Sequence, residues 1–491
     1  MNTLAVDGRR IIDNFGRERI FNGLNFVYKG CEPDEDGVIR YKSDITDELL
    51  KKLTAKGINI IRLGMTWAGI EPNPCEYNNA YLDGVKEILA LCEKNNMYVF
   101  LDWHQDLYSP FDTHYGDGAP LWACTDAHKV KKIRLIWAEG YFFNKGVQHS
   151  FDKFWDNEPY RGRGLQDRFC DMLKYTISYL GDYECIIGYD VFNEPYPGSS
   201  GGKTFRRIVG GVIKTLLFHE RVDRKKLVSD ALSRDVMAML SCVDDEKVYK
   251  NIINEGNKYI YKFDTEKFYP FMKRCSIAIR QVTKKGLIFM ENCYYSNTGI
   301  PCSTPRVTYE DGTKEADLIF SPHGYDLTVD TPLTNEASPY RIDHIFNEHE
   351  RTQARLDCPV LVGEWGGMVP GGERYPALQH LVDKFDRNRW SQTYWHYFGG
   401  FEDSKIMDII CRPLPQAVAG TIKKYEHDKK ANTFVLSYTG SSTIKSPTVI
   451  YLPQKPQAVY STKKYTLKEI GNAYLLQVSA GKGECVVKVE F

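Results

Sequence analysis

No surplus of charge of either sign marks this chain: its 491 residues carry 64 Lys+Arg and 64 Asp+Glu. A partner built of phosphates calls for a basic surplus, so the balance argues against nucleic acid. No stretch approaches the ~18 consecutive apolar residues of a membrane-spanning helix. The opening "MNTLAVDGRRIIDNFG" lacks a charged start followed by an apolar stretch of about 7–15 residues, so no signal peptide is read. The expectation is a cytoplasmic protein if the sequence is full length, and a secreted one if it has been trimmed. C-x-x-C pairs and Cys/His clusters are missing, which removes the usual zinc signatures; no metal and no cofactor is expected. The 13 cysteines are odd in number and scattered from Cys31 to Cys485, as suits free, mostly buried thiols in a reduced setting. No glycine-rich phosphate loop follows an early strand, which counts against an open nucleotide-binding sheet.

What is present is an aromatic-rich chain, 13% Phe, Trp and Tyr with 32 Tyr. Such content suits either a large core or a surface that holds flat sugar faces. Eight short apolar runs recur: "RIFNGLNFV" (19–27), "GINIIRLG" (57–64), "MYVFLDWHQ" (97–105), "IIGYDVFNE" (186–194), "GLIFMEN" (286–292), "DLIFSPHGY" (317–325), "PVLVGEW" (359–365) and "QTYWHYF" (392–398). Segments such as "AYLDGVKEILALCEKNN" (80–96) lie between them, with apolar residues at three- and four-residue spacing. Eight alternating strand–helix units predict a parallel (β/α)8 TIM barrel, an α/β fold, over residues 1–429. Insertions at about 106–164 and 196–270 follow the third and fourth strands, on the face where barrel active sites form. From about 430 to 491 the pattern changes to short strands between turn residues, read as a small all-β sandwich.

The ends of the predicted strands carry chemistry. Arg62 lies within the second, His104 and Asp106 close the third, and Asn193 and Glu194 end the fourth. His323 and Tyr325 end the sixth, Glu364 the seventh and Trp395 the eighth. Each alone has a structural explanation, such as an ion pair or a core aromatic. Together, a barrel would converge them on one pocket. Glu194 and Glu364 would then face each other, as a retaining glycosidase requires: one carboxyl protonated to donate, the other ionised to attack.

At these positions the chain resembles glycoside hydrolase family 5, over roughly residues 18–400. Within that family it is similar to the endoglycoceramidases, which cleave between an oligosaccharide and ceramide. "DWHQDLYS" (102–109), "GDGAPLWA" (116–123), "FDKFW" (151–155), "YDVFNEP" (189–195), "PHGYD" (322–326), "LPQAVAGT" (414–421) and "IYLP" (450–453) carry that likeness. The resemblance implies Glu194 as acid/base and Glu364 as nucleophile. It implies Asn193 on the sugar 2-hydroxyl, Tyr325 and Arg62 on Glu364, and His323 and His104 shaping the network. Trp395 would floor the sugar at the cleaved bond, and Asp106 and Lys29 would touch sugar. The chain departs from the pattern at Gly324, Asp326 and Trp365 and in the longer 196–270 insertion; these bear on glycan preference and admit a galactosylceramide-type activity. Two alternatives stay open: a family 5 β-glucanase or β-glycosidase on soluble, alkyl or steryl glycosides, and a non-catalytic glycolipid-binding protein. The implied partner is a glycosphingolipid, met at a membrane or micelle surface; nothing defines an oligomeric state. "KVKKIRLIWAEGYFFNKG" (129–146) is read either as a ceramide-facing wall or as a helix packed on the barrel.

Overall fold

Runs that are apolar on both faces can be satisfied only inside a parallel sheet covered by helices, and here they form one. In the computed structural model, which describes residues 1–111, 115–124, 127–133, 137–233, 236–371 and 375–491, the eight strands are Asn22–Val27, Ile60–Met65, Tyr98–Trp103, Ile186–Asp190, Leu287–Met290, Leu318–Phe320, Leu361–Val362 and Ser391–Tyr394. The first six pair in sequence order, and the eighth pairs with both the first and the seventh. A Phe320–Val360 bridge and the parallel pairing of His323–Gly324 with Glu364–Trp365 join the sixth to the seventh and complete the ring. Amphipathic helices cover the outside. Asn79–Lys94, for instance, buries Tyr81, Leu82, Val85, Ile88, Leu89 and Cys92 and is capped by Asn78, whose Oδ1 accepts from Tyr81 N–H.

The barrel interior is layered by the two-residue period of its strands. A lower apolar layer holds Ile60, Phe100, Phe289, Ile319 and Leu361, with Phe100 stacked on Phe289 at 4.5 Å. Two residues further along their strands stand Arg62, Asp102 and Glu291, all buried. One step thus lifts the second, third and fifth strands from oil to charge.

The antiparallel sheets begin at Leu414, not near 430. Leu414–Val418 and Gly420–Asp428 already belong to them, and so do Leu4–Asp7, Arg10–Asp13 and Glu18–Arg19 at the other end of the chain. Glu18–Arg19 pairs with Ala417–Val418, so the two termini share a seven-stranded sheet. Gly420–Asp428 reads poorly as a strand because "KKYEHDKK" leaves only Ile422 and Tyr425 to enter the core.

Both long insertions rise from the carboxyl ends of strands. The first contains helices Glu139–Phe143 and Lys145–Trp155. The second runs from the 20-residue helix Ser199–Phe218 through four shorter helices to Phe263 and one π-turn, Asp264–Phe268. Among the described residues no helix is long and apolar enough to cross a membrane. None of the 13 cysteines is in a disulfide, and most are buried.

Candidate active site

Arg62 stands at the centre of the charged layer and is fully buried. Its guanidinium reaches Asp190 (2.9 Å), Asp102 (2.9 Å), Glu291 (2.7 Å) and Glu364 (2.6 Å), and donates also to Asn25 and Asn193. Burial opposes its charge, but these carboxylates more than offset that and raise its pKa still further. Adjacent register explains the meeting: Asn25 lies opposite Arg62, and Asp102 opposite Asp190.

Glu364 is held on both oxygens, Oε1 by Arg62 and Oε2 by the Tyr325 hydroxyl at 2.8 Å. Glu194 lies across from it; one oxygen of each carboxylate, with one nitrogen of His323, falls within a 4.8 Å span. Glu194 has a left-handed backbone (φ 42°), and its N–H donates to Glu291 Oε2 at 2.7 Å. That strain turns its side chain out of the strand line towards Glu364. Burial pushes the Glu194 carboxyl up to about 7; a hydrogen bond from His323 pulls it back, and the nearby Glu364 charge adds to the rise. His323 is itself pushed well above the usual imidazole range, because the charges of Glu291 and Glu364 outweigh its burial. Its Nδ1 is 3.1 Å from Glu194 Oε1 and 3.4 Å from Glu364 Oε2.

A cavity of about 430 Å³ opens over this pair. Of the ten residues singled out in the sequence, Lys29, His104, Asp106, Asn193, Glu194, Tyr325, Glu364 and Trp395 line it. Arg62 and His323 lie beneath, as supports. Lys29, His104, Asp106 and Trp395 form one linked polar set. His104 stacks on the Trp395 ring at 5.4 Å, Lys29 sits 5.3 Å above the same ring, and Lys29 pairs with Asp106. Lys29 holds Asp106 well below the ordinary carboxylate range despite its burial, while burial lifts nearby Asp117 to about 6. Burial works against charge on His104 too, yet Asp102, 2.8 Å from its Nδ1, takes it up to about 10.

A second, apolar set lines the same cavity: Trp137, Phe142, Phe205, Ile208, Tyr294 and Tyr295. Phe142 stacks on Phe205 at 4.3 Å, and Trp137 meets Tyr294 edge-on. The 129–146 segment divides between the cavity and the fold. Ile133 and Tyr141 are buried in the fold, Trp137 and Phe142 face the cavity, and Phe143 is 66% exposed. Leu135 and Ile136 lie outside the described residues.

Three residues not singled out in the sequence complete the site. Asn297, in a 3-10 turn after the fifth strand, donates to Glu194 Oε1 at 2.6 Å. Asn292 orients it by donating to Asn297 Oδ1. Gln105 donates to the Asn193 and Glu194 carbonyls. Two departures noted above prove to be packing features. A Cβ on Gly324 would meet Phe346 at 2.6 Å, and Trp365 is buried against Phe385 and Tyr394. Asp326 does line the cavity and is gripped by Arg341 on both oxygens. Among the described residues, three clusters have the spacing to hold a metal: His104/Asp106/Asp117, Asp190/Glu291/His323 and Glu194/His323/Glu364. Lys29 and Arg62 already supply positive charge among their carboxylates.

A closed parallel barrel with two facing carboxyls at the ends of its fourth and seventh strands, one raised and one clamped by cations, is the build of a retaining glycosidase. A cellulase (glycosyl hydrolase family 5) model matches residues 28–219 and 235–399, a glycoside hydrolase family 5 C-terminal domain model matches 412–488, and the chain belongs to that family. It is 30% identical to an endoglycoceramidase of Hydra vulgaris, across 90% of this chain and 78% of that protein. Its fold matches endo-glycoceramidase II from Rhodococcus sp., solved as a ganglioside GM3 complex (TM-score 0.74, 20% identity, 99% of each chain) and as a lactosyl-enzyme intermediate (TM-score 0.71, 21% identity, 98% of each). An endogalactoceramidase structure also matches (TM-score 0.69, 17% identity, all of both chains).

Proposed function

We propose that this chain is a retaining endo-β-glycosidase that releases the glycan of glycosphingolipids from ceramide. The observation that carries the reading is the divided cavity. A cationic and aromatic set suited to sugar, Lys29, His104, Asp106 and Trp395, shares one 430 Å³ space with an apolar aromatic set suited to an alkyl tail, and Glu194 and Glu364 line the same space. The Hydra vulgaris relative and the Rhodococcus sp. structures support the same substrate class.

The chemistry follows from the two environments. Glu194, raised to about 7, is protonated in about half the molecules at neutral pH, and the protonated form gives its proton to the ceramide oxygen as that bond breaks. Glu364, paired with Arg62 and oriented by Tyr325, attacks the anomeric carbon and forms a glycosyl ester. Esterification removes the Glu364 charge, so the push that it exerts on Glu194 disappears and Glu194 becomes the base. It then takes a proton from water, the water oxygen displaces Glu364, and the sugar leaves with its β-configuration kept. Asn193, fixed by Arg62, presents its amide to the 2-hydroxyl, and Trp395 floors the sugar. A substrate with this tail resides in a membrane or micelle, so the enzyme meets it at such a surface.

Incubation with a panel of glycolipids and a soluble β-glucan tests the reading. Intact oligosaccharide plus ceramide is expected, and Glu364→Gln abolishes turnover while retaining binding. Cleavage confined to the glucan, or binding without cleavage, overturns it.

A further inference from the structure

The helix Ser199–Phe218 starts on the cavity and leaves it. Phe205 lines the cavity, and Val209, Ile213 and Leu217 continue the same face at four-residue steps. The buried residues of the helix are small, Gly201, Gly202, Thr204, Gly211 and Thr215, which let it lie close on the fold. Gly211 abuts Ile252 and Glu255, and Gly202 abuts Gln148. The outward ridge has no such cover: Ile213 is 57% exposed and Leu217 54%, and Phe218 at the helix end, turned about a quarter of the way round, is 75% exposed. Leu232, 81% exposed, lies on the next helix, and Phe143 stands edge-on to Phe205 where the ridge begins. This is more exposed apolar side chain than a solvated helix needs.

The charge of the segment is equally unusual. Residues 199–233 contain eight Lys/Arg and three Asp/Glu in a chain whose charges balance overall. Arg206, Arg207, Arg224 and Lys225 are all exposed. The family model is interrupted over 220–234, so part of this basic stretch is an elaboration of this chain.

We propose that the ridge Val209–Ile213–Leu217, with Phe218 at the helix end and with its basic flanks, is a docking surface for an anionic lipid bilayer. A second copy of the chain is disfavoured as the occupant, because it would set one surplus of positive charge against another. An anionic bilayer satisfies both features, taking the apolar side chains at the headgroup boundary and the cations at its phosphates and carboxylates. The ridge runs into the cavity wall at Phe205, so docking there sets the apolar side of the active site beside the lipids that hold the substrate. The proposal rests on the glycolipid reading for its purpose but not for its test.

The test sediments the full chain with vesicles of phosphatidylcholine, and with vesicles of equal parts phosphatidylcholine and phosphatidylserine. Binding is expected on the anionic vesicles and is weakened by salt. Arg206→Gln/Arg207→Gln/Lys225→Gln lowers it on the order of a hundredfold, from about one kcal/mol per surface cation. Ile213→Ser/Leu217→Ser lowers it about tenfold or more by removing buried alkyl area. Both variants cleave a water-soluble aryl lactoside at the wild-type rate, which shows that they are folded. Equal binding to both vesicle types, unchanged binding by both variants, or a self-associated protein that Leu217→Ser disperses would each overturn the proposal. Vesicle binding without any glycolipid cleavage would instead overturn the proposed activity and leave the docking surface standing.

Discussion

Asn297 donates its amide N–H to Glu194 Oε1 at 2.6 Å, and it can offer nothing else there, because Asn292 holds its carbonyl oxygen. A donor to a carboxyl oxygen favours the ionised form. Asn297→Ala therefore raises the Glu194 pKa. Since glycosylation needs the protonated acid, the alkaline limb of kcat/KM, near pH 7 in the wild type, moves upward. The variant also loses about tenfold in kcat from misplacement of the acid. A pH–rate profile separates the two effects: a purely structural role would lower the rate without moving the limb.

The raised Glu194 pKa is also a statement about stability. The folded state holds this proton more tightly than the unfolded chain, about 7 against 4.5. Its contribution is whole below pH 4.5 and is lost as pH rises through 7, a swing of ~3 kcal/mol. Glu194→Gln keeps a neutral group at every pH. It should melt with the wild type in acid and above it at pH 8–9, while its turnover of a poor leaving group falls by about 100- to 10,000-fold. Thermal melts across that pH range check this.

Removing Arg62 strands four carboxylates around one gap. Arg62→Met should cost about 3–5 kcal/mol or more, read as a lower denaturant midpoint. Arg62→Lys keeps the charge but not the planar fork that serves Asp190, Glu291 and Glu364 together, so it recovers only part of the loss.

Much of this architecture could be read from residue order, and the omissions share one physical cause. The eight strands announced themselves because a run buried on both faces has no polar alternation to hide it. Asp102, Asp190 and Glu291 escaped notice because a single acid inside such a run looks like an interruption, when it is the upward-facing step of the two-residue period. Asn297 sits in a 3-10 turn, where no periodicity exists to point at it. The strands at 4–19 are short and charged, and their partner near 417 lies almost the full chain away, so no local pattern could reveal them.

Tyr325 makes one hydrogen bond to Glu364 Oε2. Tyr325→Phe removes a bond to a charged acceptor, about 1.5–3 kcal/mol, and should lower kcat roughly 10- to 100-fold with little change in KM. Steady-state kinetics on one glycolipid suffice.

The apolar wall is tested by contrast between substrates. Phe142→Ala breaks the stack on Phe205. It should raise KM for a glycosphingolipid by about tenfold, the worth of the lost contact area, and leave KM for a soluble aryl lactoside unchanged.

The sheet that joins both termini has a consequence for how the chain is made. Glu18–Arg19 pairs with Ala417–Val418, and Glu18 Oε2 accepts from Ile422 N–H at 2.8 Å. A ribosome delivers the first of these segments some four hundred residues before the second. Until residues 414–418 emerge the opening strands lack the partner that completes their sheet, and Ile20 lacks the apolar neighbours that bury it. The clasp therefore cannot close before residues 417–422 have been made, and it ties together segments some four hundred residues apart in the chain.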